Sequence, residues 1–321
     1  MFPFRNVLFA TDFSEHARAA LKYAAAFARA GGGQVVLANV QEGSVPANLL
    51  TLPPRVFDEP HNEWLKNLRR EVEGVLSDPL LDGLEVETRI TEGEPADEIA
   101  RSARALGVDL VTVAARGRGR LAQALFASTA DEIVAESPCP VLAVRPPQRD
   151  FVHHRDGQTE IRLNRVLLAT NFRPSAEPAS HLAAEIVRAS GAEFHSIYVV
   201  GEHMNQLADL FPDSGNRALS DLREYVKGKM GTLAHEAGGR VTTHVAEGRA
   251  YEEIVRLASN EDVDLIVIGT SVHAAFFGGG PVLGAEVERV VRNAPCPVLC
   301  VPSGRVLTPQ PVRVAEPVPL V

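Results

Sequence analysis

Short runs of consecutive apolar residues alternate along this chain with longer stretches in which apolar positions recur every three or four residues. In the first half the apolar runs fall near residues 6–11, 34–40, 85–91, 109–115 and 140–145. A run such as "VDLVTVAA" is apolar on both faces, as a parallel strand covered by helices on either side requires. Between the runs, "SEHARAALKYAAAFARAGGG" has helical spacing and ends on glycines, "NEWLKNLRREVEGVL" is amphipathic, and "PADEIARSARALG" opens with proline and closes with glycine. Those are helix start and stop signals. Strands alternating with helices in this way predict an open, doubly wound parallel α/β sheet.

The whole pattern occurs twice. "NVLFATDFSEHA" (6–17) matches "RVLLATNFRPSA" (165–176), "VETRITEGEPADEIARSARALGVDLVTVAA" (86–115) matches "VTTHVAEGRAYEEIVRLASNEDVDLIVIGT" (241–270), and "ESPCPVLAVRP" (136–146) matches "NAPCPVLCVPS" (293–303). Order and approximate spacing are kept, which marks a tandem duplication of a unit of about 145 residues, the size of one domain. Residues 1–147 and 163–304 are therefore read as two Rossmann-like domains, each with strand order 3-2-1-4-5, and 148–162 as a charged linker. The proline-rich end, 305–321, reads as an extended tail.

Composition narrows the function classes. With 321 residues, 45% of them apolar and 23% charged, the chain has material for two soluble cores. A net charge of -9 argues against nucleic acid or an anionic membrane as a non-specific partner. No segment has the makings of a signal sequence or a membrane span, so the expected location is cytoplasmic. Three cysteines give no disulfide framework, and Cys139, Cys296 and Cys300 are expected to be packed core thiols. The histidines, including the pair His153 and His154, lack partners at zinc spacing, so no side-chain metal site is expected.

In a sheet of this order the ligand crevice opens between the first and fourth strands, where helices leave to opposite faces. Those strand ends read "ATDFS" and "AARGRGR". Glycines let the backbone approach an anion, Arg116, Arg118 and Arg120 supply charge, and Ser128 and Thr129 offer hydroxyls or a helix cap. Such a segment fits a phosphate-bearing ligand, and equally a solvated basic turn before a capped helix. Asp12 reads either as an acceptor for a ligand's amine or ribose or as a helix cap with Glu15 at capping-box spacing.

These residues together resemble the universal stress protein (UspA-like) family, here in tandem, from "NVLFATDFSE" through "GEPADEIARSARALGVDLVTVAARGRGR" to "PCPVLAVR" and again in the second unit. Nucleotide-binding members are similar in a G-x2-G-x9-G-[S/T] segment after the fourth strand, which here reads Ala114, Gly117, Ala127, Ser128, with two glycines replaced by alanine. The resemblance implies Asp12 and Val40 against adenosine, Val113 and Ala114 beside adenine and ribose, and Gly117, Ala127, Ser128 and Thr129 around the phosphates, with Arg118 as an added counter-charge. It implies ATP, or AMP or ADP, as ligand, with any Mg2+ or Mn2+ held mainly by phosphates and water. If either alanine must take a positive φ, its Cβ costs on the order of 1 kcal/mol.

In the second unit Asn171 replaces the aspartate, Val272 stands at the second glycine, two extra residues precede Gly284, and Ala285 replaces the serine. That unit is expected to be degenerate for nucleotide, with a structural or partner-binding role, and Phe276 and Phe277 before Gly278–Gly280 read as a mobile apolar lid, a docking segment or a plain loop. "PVLAV" and "PVLCV" read as apolar edge strands that invite pairing, and the resemblance implies that they pair the two units as an internal pseudo-dimer. The same edges are compatible with a homodimer of tandem chains. The leading expectation is a stress-response or signalling protein that binds an adenine nucleotide. Slow ATP hydrolysis or autophosphorylation, and a nucleotide-free scaffold, are the alternatives. No general base stands beside the phosphate segment, which weighs against catalysis.

Overall fold

The computed structural model describes residues 1–41, 55–115, 129–146, 148–155, 158–201, 212–239, 241–270, 272–274 and 281–303. The first unit runs β1 (Asn6–Ala10), α1 (Glu15–Gly31), β2 (Gln34–Gln41), α2 (Arg55–Leu76), β3 (Glu85–Glu92), α3 (Pro95–Ala105), β4 (Leu110–Ala114), α4 (Thr129–Glu136) and β5 (Val141–Val144). A ribbon of β6 (Val152–Arg155) and β7 (Gln158–Ile161) follows. The second unit runs β8 (Arg165–Ala169), α5 (Glu177–Ser190), β9 (Glu193–Val200), α6 (Pro212–Ala237), β10 (Val241–Glu247), α7 (Ala250–Asn260), β11 (Leu265–Thr270), β12 (Val272–Ala274), β13 (Pro281–Leu283), α8 (Ala285–Asn293) and β14 (Val298–Pro302).

Ten strands form one sheet in the order β10-β9-β8-β11-β14-β5-β4-β1-β2-β3. Each half is parallel with internal order 3-2-1-4-5, and the halves meet where β14 pairs antiparallel with β5, Leu299 opposite Leu142 and Cys300 opposite Val141. Within this sheet every strand but two is thereby paired on both sides. The free edges are β3 and β10; in β3 charged and exposed positions blunt further pairing.

Helices cover the two faces in separate sets. One apolar cluster joins α1, α5 and α6 to the sheet, with Val72 and Val75 of α2 packed against it; the other joins α3, α4, α7 and α8. Both clusters contain residues of both units, so the core is continuous across the β5–β14 seam. Cys139, Cys296 and Cys300 are buried in it, and burial pushes the first two thiols up to about 11 and about 12 and Cys300 higher still. They are packing residues, as their sequence context predicts.

The linker is more ordered than its composition implies. Phe151 and Val152 are buried, Phe151 sits edge-on to Tyr23 of α1 at 4.8 Å, and Asp150 accepts from Tyr23 Oη at 2.9 Å and pairs with Lys22. On the other side Arg149 donates to Val263 O at 2.9 Å and Asp262 Oδ1 at 2.6 Å. Asp150 and Phe151, just ahead of the ribbon, thus fasten the first unit's α1 while Arg149 before them grips the second unit.

Candidate functional site

The first crevice follows from the divergence of two helices. β1 and β4 are parallel neighbours, with Ala10 opposite Val113, yet α1 leaves β1 toward one face and α4 follows β4 onto the other. Their carboxyl ends are the topological switch point. Asp12, Val40, Val113 and Ala114 all lie there, at the ends of β1, β2 and β4. Val113 is buried, Val40 and Ala114 are half-buried, and Asp12 and Thr129, the first residue of α4, are exposed. Gly117, Arg118, Ala127 and Ser128 lie outside the described residues, as do Arg116, Arg120, Phe276, Phe277, Gly278–Gly280 and the tail.

The turn that carries Asp12 is held by two side-chain hydrogen bonds. Phe13 takes a left-handed φ of 58°, its N–H donates to Thr11 Oγ1 at 2.9 Å, and Ser14 N–H donates to Asp12 Oδ1 at 3.0 Å. The helix cap is Ser14, whose Oγ accepts from Ala17 N, which corrects the capping-box reading of Asp12. Asp12 instead closes an Asx turn one step earlier, where a short carboxylate satisfies an amide beside a strained residue. The second unit repeats this turn: Phe172 has φ 54°, and Arg173 N–H donates to Asn171 Oδ1 at 3.1 Å.

Ala114 bears on whether alanine is tolerated where the motif has glycine. Among the described residues, the non-glycine positions with positive φ are Phe13, Phe172 and Asp262, so Ala114 carries no left-handed strain. Its counterpart Gly269 is not left-handed either; a Cβ there would come within 3.2 Å of Ala176 Cα. Glycine at this place serves close approach, not an unusual backbone angle.

One set of residues at this site escapes the sequence reading. Asn39 is buried on β2 and its Nδ2 donates to Thr11 O at 2.8 Å; Gln41 donates to Asn39 Oδ1, and Trp64 Nε1 of α2 donates to Gln41 Oε1 at 3.3 Å. An asparagine inside the apolar run "VVLANV" is the signal that could have found it, because a buried amide must have partners.

The opposite end of the sheet is structural. Asp109 accepts the amides of Arg5 and Asn6, and Asp264 those of Asn164 and Arg165, at the starts of β1 and β8. A cleft of about 500 Å³ lies there in the second unit, lined by Arg149, Asn164, Arg165, Glu193, Asp262 and Asp264. Its arginines are already paired with Asp262 and Glu193, and it faces away from the carboxyl ends of the strands.

Two doubly wound units sharing one sheet, each with its switch point at the carboxyl ends of its first and fourth strands, define a tandem α/β fold of the Rossmann-like class. The universal stress protein family model matches residues 3–145 and 162–302, and the chain belongs to that family as a tandem member. A universal stress protein of Thermus aquaticus is 31% identical over 144 residues, 44% of this chain and 99% of that protein. The YxiE universal stress protein of Bacillus subtilis is 31% identical over 147 residues, again 44% of this chain and 99% of that one. Both relatives have the length of one unit. A universal stress protein structure from Archaeoglobus fulgidus covers 94% of this chain and 100% of its own with TM-score 0.62 at 20% identity, a likeness of fold. No described helix is long and apolar enough to cross a membrane.

Proposed function

We propose that the first unit binds ATP or another adenine nucleotide, that the second unit is a structural and partner-facing half, and that the whole is a cytoplasmic stress-response module acting by binding, not by turnover. The observation that carries this reading is the convergence of Asp12, Val40, Val113 and Ala114 on one switch point, with Thr129 opening the helix beyond it. Ala114 adds no backbone strain, which supports a working site despite the altered motif. Any Mg2+ or Mn2+ would be held mainly by the nucleotide's phosphates and water.

The test begins with freshly purified protein, denatured and chromatographed for released nucleotide, followed by titration of stripped protein with ATP and magnesium. The expected result is adenine nucleotide near one per chain; no release and no binding at millimolar ATP sinks the reading. Asp12→Asn sharpens it, because Asn171 shows that an amide supports the same turn. The variant keeps the fold and removes the charge, so affinity should fall about tenfold with the melting temperature held.

A further inference from the structure

The hydrogen bonds linking Trp64, Gln41, Asn39 and Thr11 admit one polarity. An indole N–H can only donate and a backbone carbonyl can only accept. Trp64 at one end therefore fixes Oε1 of Gln41 as acceptor, which leaves Nε2 to donate to Asn39 Oδ1, which in turn leaves Nδ2 to donate to Thr11 O. Neither amide can flip without breaking two bonds at once.

The relay stands behind the crevice, not in it. Side chains alternate across a strand, so Asn39 and Gln41 face the α1 and α2 side while Val40 between them packs toward the α3 and α4 side. Asn39 thus cannot share Val40's contact with a ligand on that side. What it does is hold the carbonyl of the residue before Asp12, tying the end of β1 to β2 across the two strands that carry Asp12 and Val40. In the second unit Tyr198 stands in its place, stacked on Phe172 at 6.0 Å and 9°.

We infer that Trp64, Gln41 and Asn39 form a positioning relay for the first crevice, in which Asn39 sets the placing of Asp12 relative to Val40 and the indole of Trp64 registers occupancy by adenine nucleotide. The inference rests on the nucleotide reading above. Trp64 is the single tryptophan of the chain, so its emission reports this one place.

The experiment titrates the stripped full chain with ATP and magnesium, following bound nucleotide by equilibrium dialysis and Trp64 emission in the same samples. Wild type is compared with Asn39→Asp, Asn39→His and Gln41→Glu. Aspartate sets an acceptor against the Thr11 carbonyl, and affinity should fall about tenfold or more. Histidine offers one donor and one acceptor on a single ring and should recover most of the loss. Gln41→Glu keeps the acceptor for Trp64 but not the donor for Asn39, so it should uncouple the emission change from binding.

Wild type that binds ATP with no change in Trp64 emission overturns the relay and leaves the nucleotide reading standing. Asn39→Asp binding within about twofold of wild type does the same. Wild type that binds no adenine nucleotide overturns both. Melting curves on each variant identify any that fails to fold, in which case Asn39→His and Gln41→Glu carry the decision.

Discussion

At the end of its first strand each unit builds the same turn, and behind it the two units place different chemistry. Thr11, Asp12 and Phe13 correspond to Thr170, Asn171 and Phe172, with the same two side-chain bonds and the same left-handed phenylalanine. Behind the first turn lies the amide relay; behind the second lie Tyr198 and Tyr225 against Phe172, at 6.0 and 6.5 Å. Amides impose direction and single geometries, whereas aromatic contacts tolerate sliding. The duplication has preserved the backbone device and let its backing diverge, one half toward directional positioning and the other toward packing.

The sharpest way to break the correspondence is at the turn after each unit's first helix. There "GGG" (31–33) stands against Ser190, Gly191 and Ala192. Gly32 and Gly191 cap their helices with φ 66° and 74°, so the middle glycine is conformational in both. The flanking ones serve the first unit alone: a Cβ on Gly33 would lie 1.9 Å from Arg5 O and one on Gly31 1.7 Å from Phe4 O. Gly33→Ala should destabilise by about 3 kcal/mol, since backbone must move. Ala192→Gly at the matching place should cost about 1 kcal/mol or less. Urea denaturation of the two variants measures both, and equal losses would show that the turns are packed alike.

A smaller effect is expected where the units meet. Asp131 of α4 and Glu288 of α8 occupy corresponding positions, and Arg292 pairs with both, at 3.1 and 2.7 Å. The position matching Arg292 in the first unit is Ala135, so one arginine from the second unit answers a carboxylate from each. Asp131 is buried and Glu288 partly exposed. Arg292→Ala should cost about 1–2 kcal/mol, mainly through Asp131, because a buried carboxylate loses more than an exposed one. Glu288→Ala should cost only a few tenths, and chevron or denaturant data showing the reverse order would place the weight of the contact on α8 alone.

Much of this architecture is legible in the chain because it depends on local patterns: the five strands of the first unit lie within a residue or two of their apolar runs, and the internal match fixes the second unit. What escapes depends on side chains that meet only after folding. Asn39 and Trp64 are separated by a stretch outside the described residues, Arg292 meets Asp131 from 161 positions away, and the ribbon at 152–161 rests on burial of Phe151 and Val152 that no charged, proline-bearing composition announces. The choice of helix cap is of the same kind, since Asp12 and Ser14 both suit a cap and the bond from Ala17 N to Ser14 Oγ decides between them.

The smallest predicted difference separates the units by pH. His195 Nδ1 and His244 Nε2 lie 3.2 Å apart on neighbouring strands, with ring planes 10° apart and centroids 5.5 Å apart. That geometry is an in-line bond that holds one proton between two nitrogens. Their counterparts in the first unit are Val36 and Arg89, so the histidine pair belongs to the second unit alone. Burial first, and the neighbouring His195 second, lower the His244 pKa from 6.5, against a weaker opposing pull from Glu261. Glu193 lies 3.8 Å from His195 Nε2 but is already committed to Arg165. Because folding depresses the His244 pKa, the unfolded chain binds more protons, and stability rises with pH through this window. The contribution is complete above the unfolded pKa of 6.5 and is lost as pH falls through it toward the folded value. Amide exchange at pH 7.5 and 5.5 should therefore show β9 and β10 losing protection while β2 and β3 keep theirs. His244→Gln should flatten that dependence, and equal loss at both ends of the sheet would assign the acid sensitivity to the carboxylates the units share.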